Sequence, residues 1–251
     1  MMTGGRNGGG SAEAAATGPG SAGSVVSSTP VLGPRLTLGK MQNPVRGFLH
    51  GTAATASLVG TGFLVGRAPA WPSRIALLVF GLGLAALYTT SSVYHSVPWR
   101  EPWRRRMQRL DHSMIFVLIA ATYTPIAVIV LDGMWRWGTL TIVWGLTVVG
   151  IGQHILYPRP EQNFSIALAT SMGWVAGVAA VPLARRAGLG AVALAALGGI
   201  LYTMGMVFLV TNRPRLWPRV FSYHELFHVL VVAASVVHFT MTWRYVVPLA
   251  A

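Results

Sequence analysis

Cysteine is absent from this chain of 251 residues. Its absence excludes a disulfide framework, thiolate ligands for a metal and a thiol nucleophile. Acidic residues are also scarce, with six Asp and Glu against 19 Lys and Arg, and only 10% of all residues are charged. Any metal bound by this chain must therefore be held by histidine or by one of a few carboxylates.

The chain is rich in apolar residues. Hydrophobic residues make up 53% of the chain and the mean hydropathy is +0.55, well above the average for soluble proteins. The net charge of +13 would suit a nucleic-acid partner, but the basic residues lie in short segments between apolar runs and leave no soluble basic domain. The composition indicates a membrane protein whose partners are lipids, with no nucleic acid.

The chain divides into two regions. Residues 1–40 consist mainly of Gly, Ala, Ser and Thr with scattered Pro, and such a segment buries too little apolar surface to offset the entropy of ordering. We predict a disordered tail over 1–40 and a transmembrane domain over 41–251.

Seven apolar runs follow the tail, each long enough to cross a hydrocarbon core of about 30 Å as a helix. They cover approximately residues 47–66, 75–95, 111–131, 136–157, 164–184, 189–210 and 224–247. The predicted fold is an all-α integral membrane protein, a bundle of seven transmembrane helices.

Small residues in the fourth, fifth and sixth runs predict close helix packing, because glycine lets two backbones approach in lipid. These residues are Gly145, Gly150, Gly152, Gly173, Gly177, Gly198 and Gly199.

The orientation follows from the basic residues between the runs. Thirteen Lys and Arg residues fall on the side that holds the N-terminus and six on the other. Since cytoplasmic segments carry the excess of positive charge, we predict a cytoplasmic N-terminus and a C-terminus outside.

Two histidines at the start of the seventh run have the spacing of metal ligands. His224 and His228 are four residues apart, so both imidazoles lie on one face of a helix. With Glu225 they also spell the H-E-x-x-H motif of zinc proteases, but that family needs a third ligand downstream and a soluble cleft, and neither is evident. We interpret the pair as a local ligand geometry.

Further polar residues fall in the same membrane layer. Ser91 and His95 end the second run, Asp111 begins the third, and His224 and His228 begin the seventh, all on the predicted cytoplasmic side. Three imidazoles, a carboxylate and a hydroxyl are sufficient for a metal with three nitrogen ligands and a bound water. The alternative for Asp111 alone is a helix cap or an ion pair with Arg109.

The remaining histidines leave alternatives open. His50, His112 and His154 fall in or near the same layer, either as alternative ligands or as ordinary hydrogen-bonded residues. His238 lies about 21 Å beyond His224 along a helix axis, too far to bind the same metal. For His238 we expect an interhelical hydrogen bond.

Three segments together resemble the hemolysin III family, the bacterial relatives of the progestin and adipoQ receptors. They are SSVYHSVPW at 91–99, RLDHSMIFVLIAATYTP at 109–125 and SYHELFHVLVVAASVVHF at 222–239. They stand in order, and the seven-helix plan extends the resemblance to about residues 44–248. One departure concerns the first helix, where Asn43 and His50 stand in NPVRGFLHG and the acidic residue often found in these relatives is missing.

The resemblance implies Zn²⁺ held by His95, His224 and His228, with Asp111 holding the zinc-bound water and Ser91 as the serine of the family motif. It also implies a multi-pass protein of the bacterial cytoplasmic membrane. The activity it suggests is zinc-dependent hydrolysis of a lipid amide or ester, similar in chemistry to the alkaline ceramidases.

Two functions are therefore expected from the sequence. In the first, zinc activates water for hydrolysis of a lipid-like substrate, Asp111 accepts the proton and Ser91 donates to the developing oxyanion. In the alternative, the protein is a non-enzymatic receptor or a cytolytic factor with structural zinc. The substrate, any extracellular partner and the oligomeric state do not follow from the sequence.

Overall fold

Eight α-helices follow one another in the part of the chain that the computed structural model describes, residues 43–157, 160–177, 179–217 and 220–250. The predicted tail over 1–40 lies outside these residues. The helices are α1 (Pro44–Arg67), α2 (Trp71–Ser96), α3 (Trp103–Pro125), α4 (Gly133–Leu156), α5 (Gln162–Trp174), α6 (Ala180–Ala187), α7 (Leu189–Thr211) and α8 (Tyr223–Met241). Short π-helical and 3-10 segments extend α3 to Val130, α5 to Gly177 and α8 to Leu249.

The lengths and compositions of these helices fit a membrane bundle. Six of the described helices, counted with their extensions, are long and apolar enough to cross a bilayer, namely α1, α2, α3, α4, α7 and α8. The shorter α5 and α6 make a seventh span only if they are taken together as one bent element. The all-α membrane fold is thus confirmed, with six or seven spans.

The bent element runs along the full length of α4. At its start, the Ser165 hydroxyl donates to Gln153 Oε1 on the last turn of α4, over 3.0 Å. At its end, Arg186 pairs with Asp132, which immediately precedes α4, and donates to the Val130 carbonyl. The α5–α6 pair therefore reaches both ends of the bundle.

The two ends of the bundle are defined by contacts with α2. At one end, the backbone N–H of Asn43 donates to the carbonyl of His95 over 3.0 Å, so the start of α1 lies beside the end of α2. At the other end, the Ser73 hydroxyl donates to the carbonyl of Ala250 over 3.2 Å. We call the end that contains His95 the histidine end.

Most of the glycines at which two helices approach closely are not the ones predicted from the sequence. A Cβ on Gly150 would meet the Phe116 ring and one on Gly198 would meet the His238 ring, so close packing at these two positions is confirmed. The prediction is wrong for the other five, where a Cβ would meet no atom of the described residues within 4 Å: Gly145, Gly152, Gly173, Gly177 and Gly199. Tight approaches occur instead at Gly81 and Gly83 of α2, against α1 and α3, because the first three helices pack closely.

Candidate metal centre

Three imidazoles from two helices meet at the histidine end. His95 closes α2, while His224 and His228 lie on the first two turns of α8. One ring nitrogen from each residue lies within 4.8 Å of the others. The ring centroid of His95 is 4.9 Å from that of His228 and 5.6 Å from that of His224. The four-residue spacing also keeps the His224 and His228 rings nearly parallel, 5.0 Å apart.

The donor set fits a metal cation. His95 and His228 are buried, at 4% and 3% exposure, and His224 is half-buried. The Nε2 atom of His228 is buried without a hydrogen-bond partner among the described residues, although an unsatisfied buried nitrogen is costly. A cation shared by the three rings would satisfy it, and uncharged imidazole nitrogen is a suitable ligand for Zn²⁺ and for several other transition metals. The geometry therefore allows a metal without specifying which one.

Asp111 and Ser91 lie close to this cluster. Ser91 precedes His95 by one turn of α2, it is buried, and its side chain lies near that of Asp111. A carboxylate only accepts hydrogen bonds, so the hydroxyl would be the donor in a hydrogen bond between the two. This contact brings Asp111 of α3 to within about one helical turn, roughly 5.4 Å of axial rise, of the level of His95.

Asp111 does not begin its helix. The structure starts α3 at Trp103, two turns earlier, so the expectation that Asp111 opens the third helix is wrong. A carboxylate on the third turn of a helix is too far in to cap its first amides. The helix extends because basic residues on its first two turns end the apolar run without ending helical structure.

Glu225, the acidic residue of the HELFH segment, has structural contacts in place of the general-base role of the glutamate in zinc proteases. Its Oε1 pairs with the Arg46 guanidinium at 2.6 Å, and both side chains are at least nine-tenths buried. Its Oε2 accepts from the backbone N–H of Ser222 over 2.9 Å, which is the glutamate half of a capping box. Glu225 thus begins α8 and ties it to α1. The Ser-x-x-Glu spacing at 222–225 is a signal that the sequence interpretation did not use.

His50 of α1 is hydrogen-bonded to the cluster. Its Nε2 lies 2.9 Å from His228 Nδ1, and the two ring centroids are 4.3 Å apart. His50 is 2% exposed and does not belong to the group of histidines whose nitrogens converge. Of the two alternatives left open for it, the hydrogen-bonded residue is the one observed.

The other histidines do not belong to the convergent group. His112 and His154 contact each other, with ring centroids 5.9 Å apart, and His154 also lies 3.4 Å from the Ser165 hydroxyl. His238 stacks on Tyr202 of α7, with centroids 5.8 Å apart. Its buried Nδ1 has no hydrogen-bond partner in the described part of the chain, so the expected interhelical hydrogen bond is replaced by ring packing at this atom.

The fold and the site define a class of protein: a multi-span helical membrane protein with clustered histidines at one end of its bundle. The sequence model of the family described as "Haemolysin-III related" matches residues 39–239, and the chain belongs to that family. With its apolar helices, this makes it a multi-pass protein of the bacterial cytoplasmic membrane.

Individual relatives agree with the family. The chain is 34% identical to Hemolysin-3 of Bacillus cereus over 176 residues, which cover 70% of this chain and 77% of the relative. It is 30% identical to a Hemolysin-3 homolog of Bacillus subtilis over 201 residues, 79% of this chain and 91% of the relative. A more distant similarity, 24% over 207 residues, joins it to the human monocyte to macrophage differentiation factor and covers 79% and 82% of the two chains.

Proposed function

We propose that this protein is a zinc-dependent hydrolase of lipid amide or ester bonds, with Zn²⁺ held by His95, His224 and His228. The observation that carries the proposal is the convergence of three imidazole nitrogens within 4.8 Å beside a carboxylate. Three protein ligands are the number typical of catalytic zinc, since structural zinc sites normally have four.

The metal would polarise the substrate carbonyl and lower the pKa of a water from 15.7 to about 7. Asp111 is the general base in this proposal, because its carboxylate lies near Ser91, one turn of α2 before His95, whereas Glu225 is paired with Arg46. In this proposal, Ser91 orients the Asp111 carboxylate by donating its hydroxyl hydrogen to it. Once Asp111 takes a proton, that hydroxyl is free to turn to the oxygen on which charge develops.

The substrate class follows from where the site lies. Ser91, His95 and His228 are buried, whereas His224 and Asp111 are half-buried, so the cluster is accessible at His224 and Asp111. Its helices expose large apolar side chains, as those of a protein surrounded by lipid do. A lipid with an amide or ester bond at headgroup depth can reach such a site from the bilayer.

A non-enzymatic role with structural metal is the alternative, and the name Hemolysin-3 of two relatives favours a cytolytic form of it. The alternative requires the same histidines but no turnover, so metal binding and hydrolysis must be measured separately.

The test uses full-length protein purified in mild detergent. We expect about one zinc per chain, loss of the metal in the His224→Ala, His228→Ala double variant and retention in His238→Gln, which changes a histidine on the same helix outside the cluster. Equal zinc content in the wild type and the double variant would exclude the metal centre.

Hydrolysis of a panel of lipid amides and esters then separates the two functions. Wild-type protein should release fatty acid, and Asp111→Asn should lose about 10²–10⁴-fold in rate, the usual contribution of a general base, while keeping its zinc. A zinc-loaded wild-type protein with no turnover on any substrate would favour the structural role.

A further inference from the structure

His50 lies beside a proposed metal ligand but has no role in the proposed hydrolysis. It lies on α1, 178 residues before His228, and its ring packs between the rings of His228 and Tyr88. The Tyr88 ring is steeply inclined to that of His50, and the two ring centroids are 5.0 Å apart. Tyr88 is itself fixed by its hydroxyl, which donates to Ser235 of α8 over 2.6 Å. The His50 ring therefore has little freedom to turn away from His228.

The two nitrogens of His228 have different surroundings. Its Nδ1 lies 2.9 Å from Nε2 of His50 and 3.4 Å from Nδ1 of His50, so Nε2 of His50 is the nearer partner. The Nε2 atom of His228 is buried without a partner in the described residues. A neutral imidazole carries one N–H and one lone pair. If the proton is on Nδ1, it is donated to His50, and the lone pair of Nε2 is left free to bind a metal. In the opposite tautomer, the proton of His228 is on Nε2 and its Nδ1 carries a lone pair. That lone pair would face a second lone pair on His50, unless His50 directed its own N–H at it. In either case, the buried Nε2–H of His228 would have no acceptor.

We propose that His50 is a positioning residue, which accepts the Nδ1–H of His228 and so fixes the ring and the tautomer that present Nε2 to a metal. The inference rests on the proposed metal centre, since it assigns His228 as a ligand. Metal-binding histidines almost always donate their second nitrogen to an acceptor that orients them, most often a carboxylate or a backbone carbonyl. In this chain the acceptor is an imidazole from a different helix.

The consequence is that α1 contributes to metal affinity without supplying a ligand. A second contact from the same helix, Arg46 with Glu225, fixes the start of α8 one residue after His224. Through these two contacts, the orientation of α8 ligands depends on α1.

The experiment measures Co²⁺ and Zn²⁺ affinity of the full-length protein in detergent, with the Co²⁺ d–d absorption as a report on ligand geometry. His50→Leu removes the acceptor, and we expect affinity to fall about 10- to 100-fold, with a changed Co²⁺ spectrum. His50→Gln keeps an acceptor oxygen near the position of Nε2 and should recover most of the affinity. His238→Leu is the control, because it removes a buried histidine from α8 outside the cluster and should bind like wild type.

Unchanged affinity in His50→Leu, with wild-type protein binding metal normally, would overturn the positioning role and leave the metal centre intact. Failure of the wild type to bind metal would overturn both. A measurement that needs no His50 variant is the ¹⁵N NMR spectrum of metal-free protein labelled at histidine, with the His228 signals assigned from their loss in His228→Ala. We expect the Nδ1–H tautomer for His228, and an Nε2–H tautomer would contradict the proposal.

Discussion

At the scale of single residues, two carboxylates at the histidine end differ in their partners. Glu225 accepts from a guanidinium and a backbone amide, so both of its oxygens are occupied. The Asp111 carboxylate lies near the Ser91 hydroxyl instead. The ion pair and the capping hydrogen bond give Glu225 a structural role at the start of α8. This difference supports the proposal that Asp111 is the reactive carboxylate.

The buried pair of Arg46 and Glu225 leads to a prediction about stability. Removing one partner leaves an uncompensated buried charge, which typically costs about 3–5 kcal/mol, whereas replacing both with apolar groups is often neutral. We expect Arg46→Met and Glu225→Leu each to lower the apparent unfolding temperature in detergent, and the double variant to be more stable than the less stable single variant. A double-mutant cycle measures the coupling. Strictly additive losses would contradict a direct buried pair.

The residues of the cluster could be predicted to different degrees. Local spacing identifies His224 and His228, and membrane sidedness adds His95, Ser91 and Asp111 to the same layer. The hydrogen bond between His228 and His50 could not be predicted, because nothing in a local pattern indicates which of several histidines in one layer will face each other. The ion pair of Arg46 was missed for a related reason: the residue was counted as a basic residue flanking the first span, but it lies on the first turn of α1 and is buried.

At the scale of helices, apolar runs predict the spans well and their ends poorly. The predicted third span begins at residue 111, but α3 begins at Trp103, since a helix continues into the polar region where hydropathy falls. The break between α5 and α6 was not predicted, because residues 164–184 contain no charged residue and hydropathy does not distinguish a straight helix from a bent one.

Glycine packing gives a prediction with a matched control on one helix. Gly150 of α4 faces the buried ring of Phe116, and an added Cβ would lie 2.7 Å from ring carbons, so Gly150→Ala forces a shift in the contact between α3 and α4. Overpacking of this kind costs about 1–3 kcal/mol. Gly145→Ala, on the open side of the same helix, should be neutral or slightly stabilising. Apparent unfolding temperatures in detergent compare the two, and equal values would show that α3 and α4 are not in tight contact at Gly150.

At the scale of the whole molecule, the number of spans determines on which sides of the membrane the two ends of the chain lie. An even number of spans puts both ends on the same side of the membrane, and an odd number puts them on opposite sides. The start of α1 contacts the end of α2, and Ala250 contacts the start of α2. These contacts lie at opposite ends of a helix of 26 residues, about 39 Å long at 1.5 Å per residue. The geometry of the described residues therefore favours seven spans, with α5 and α6 crossing together.

Reporter fusions test this arrangement. Because the side that holds the N-terminus has 13 of the 19 basic residues, we expect the N-terminus in the cytoplasm and the C-terminus outside. Alkaline phosphatase fused after Ala251 should be active and green fluorescent protein at that position dark, while fusions after Asn212, between α7 and α8, should give the reverse. A fusion after Ala70, between α1 and α2, serves as the outside reference. A cytoplasmic C-terminus together with a cytoplasmic N-terminus would mean six spans and would exclude the bent pair from crossing. An N-terminus outside together with a cytoplasmic C-terminus would also mean seven spans, but it would place the histidine end outside the cell.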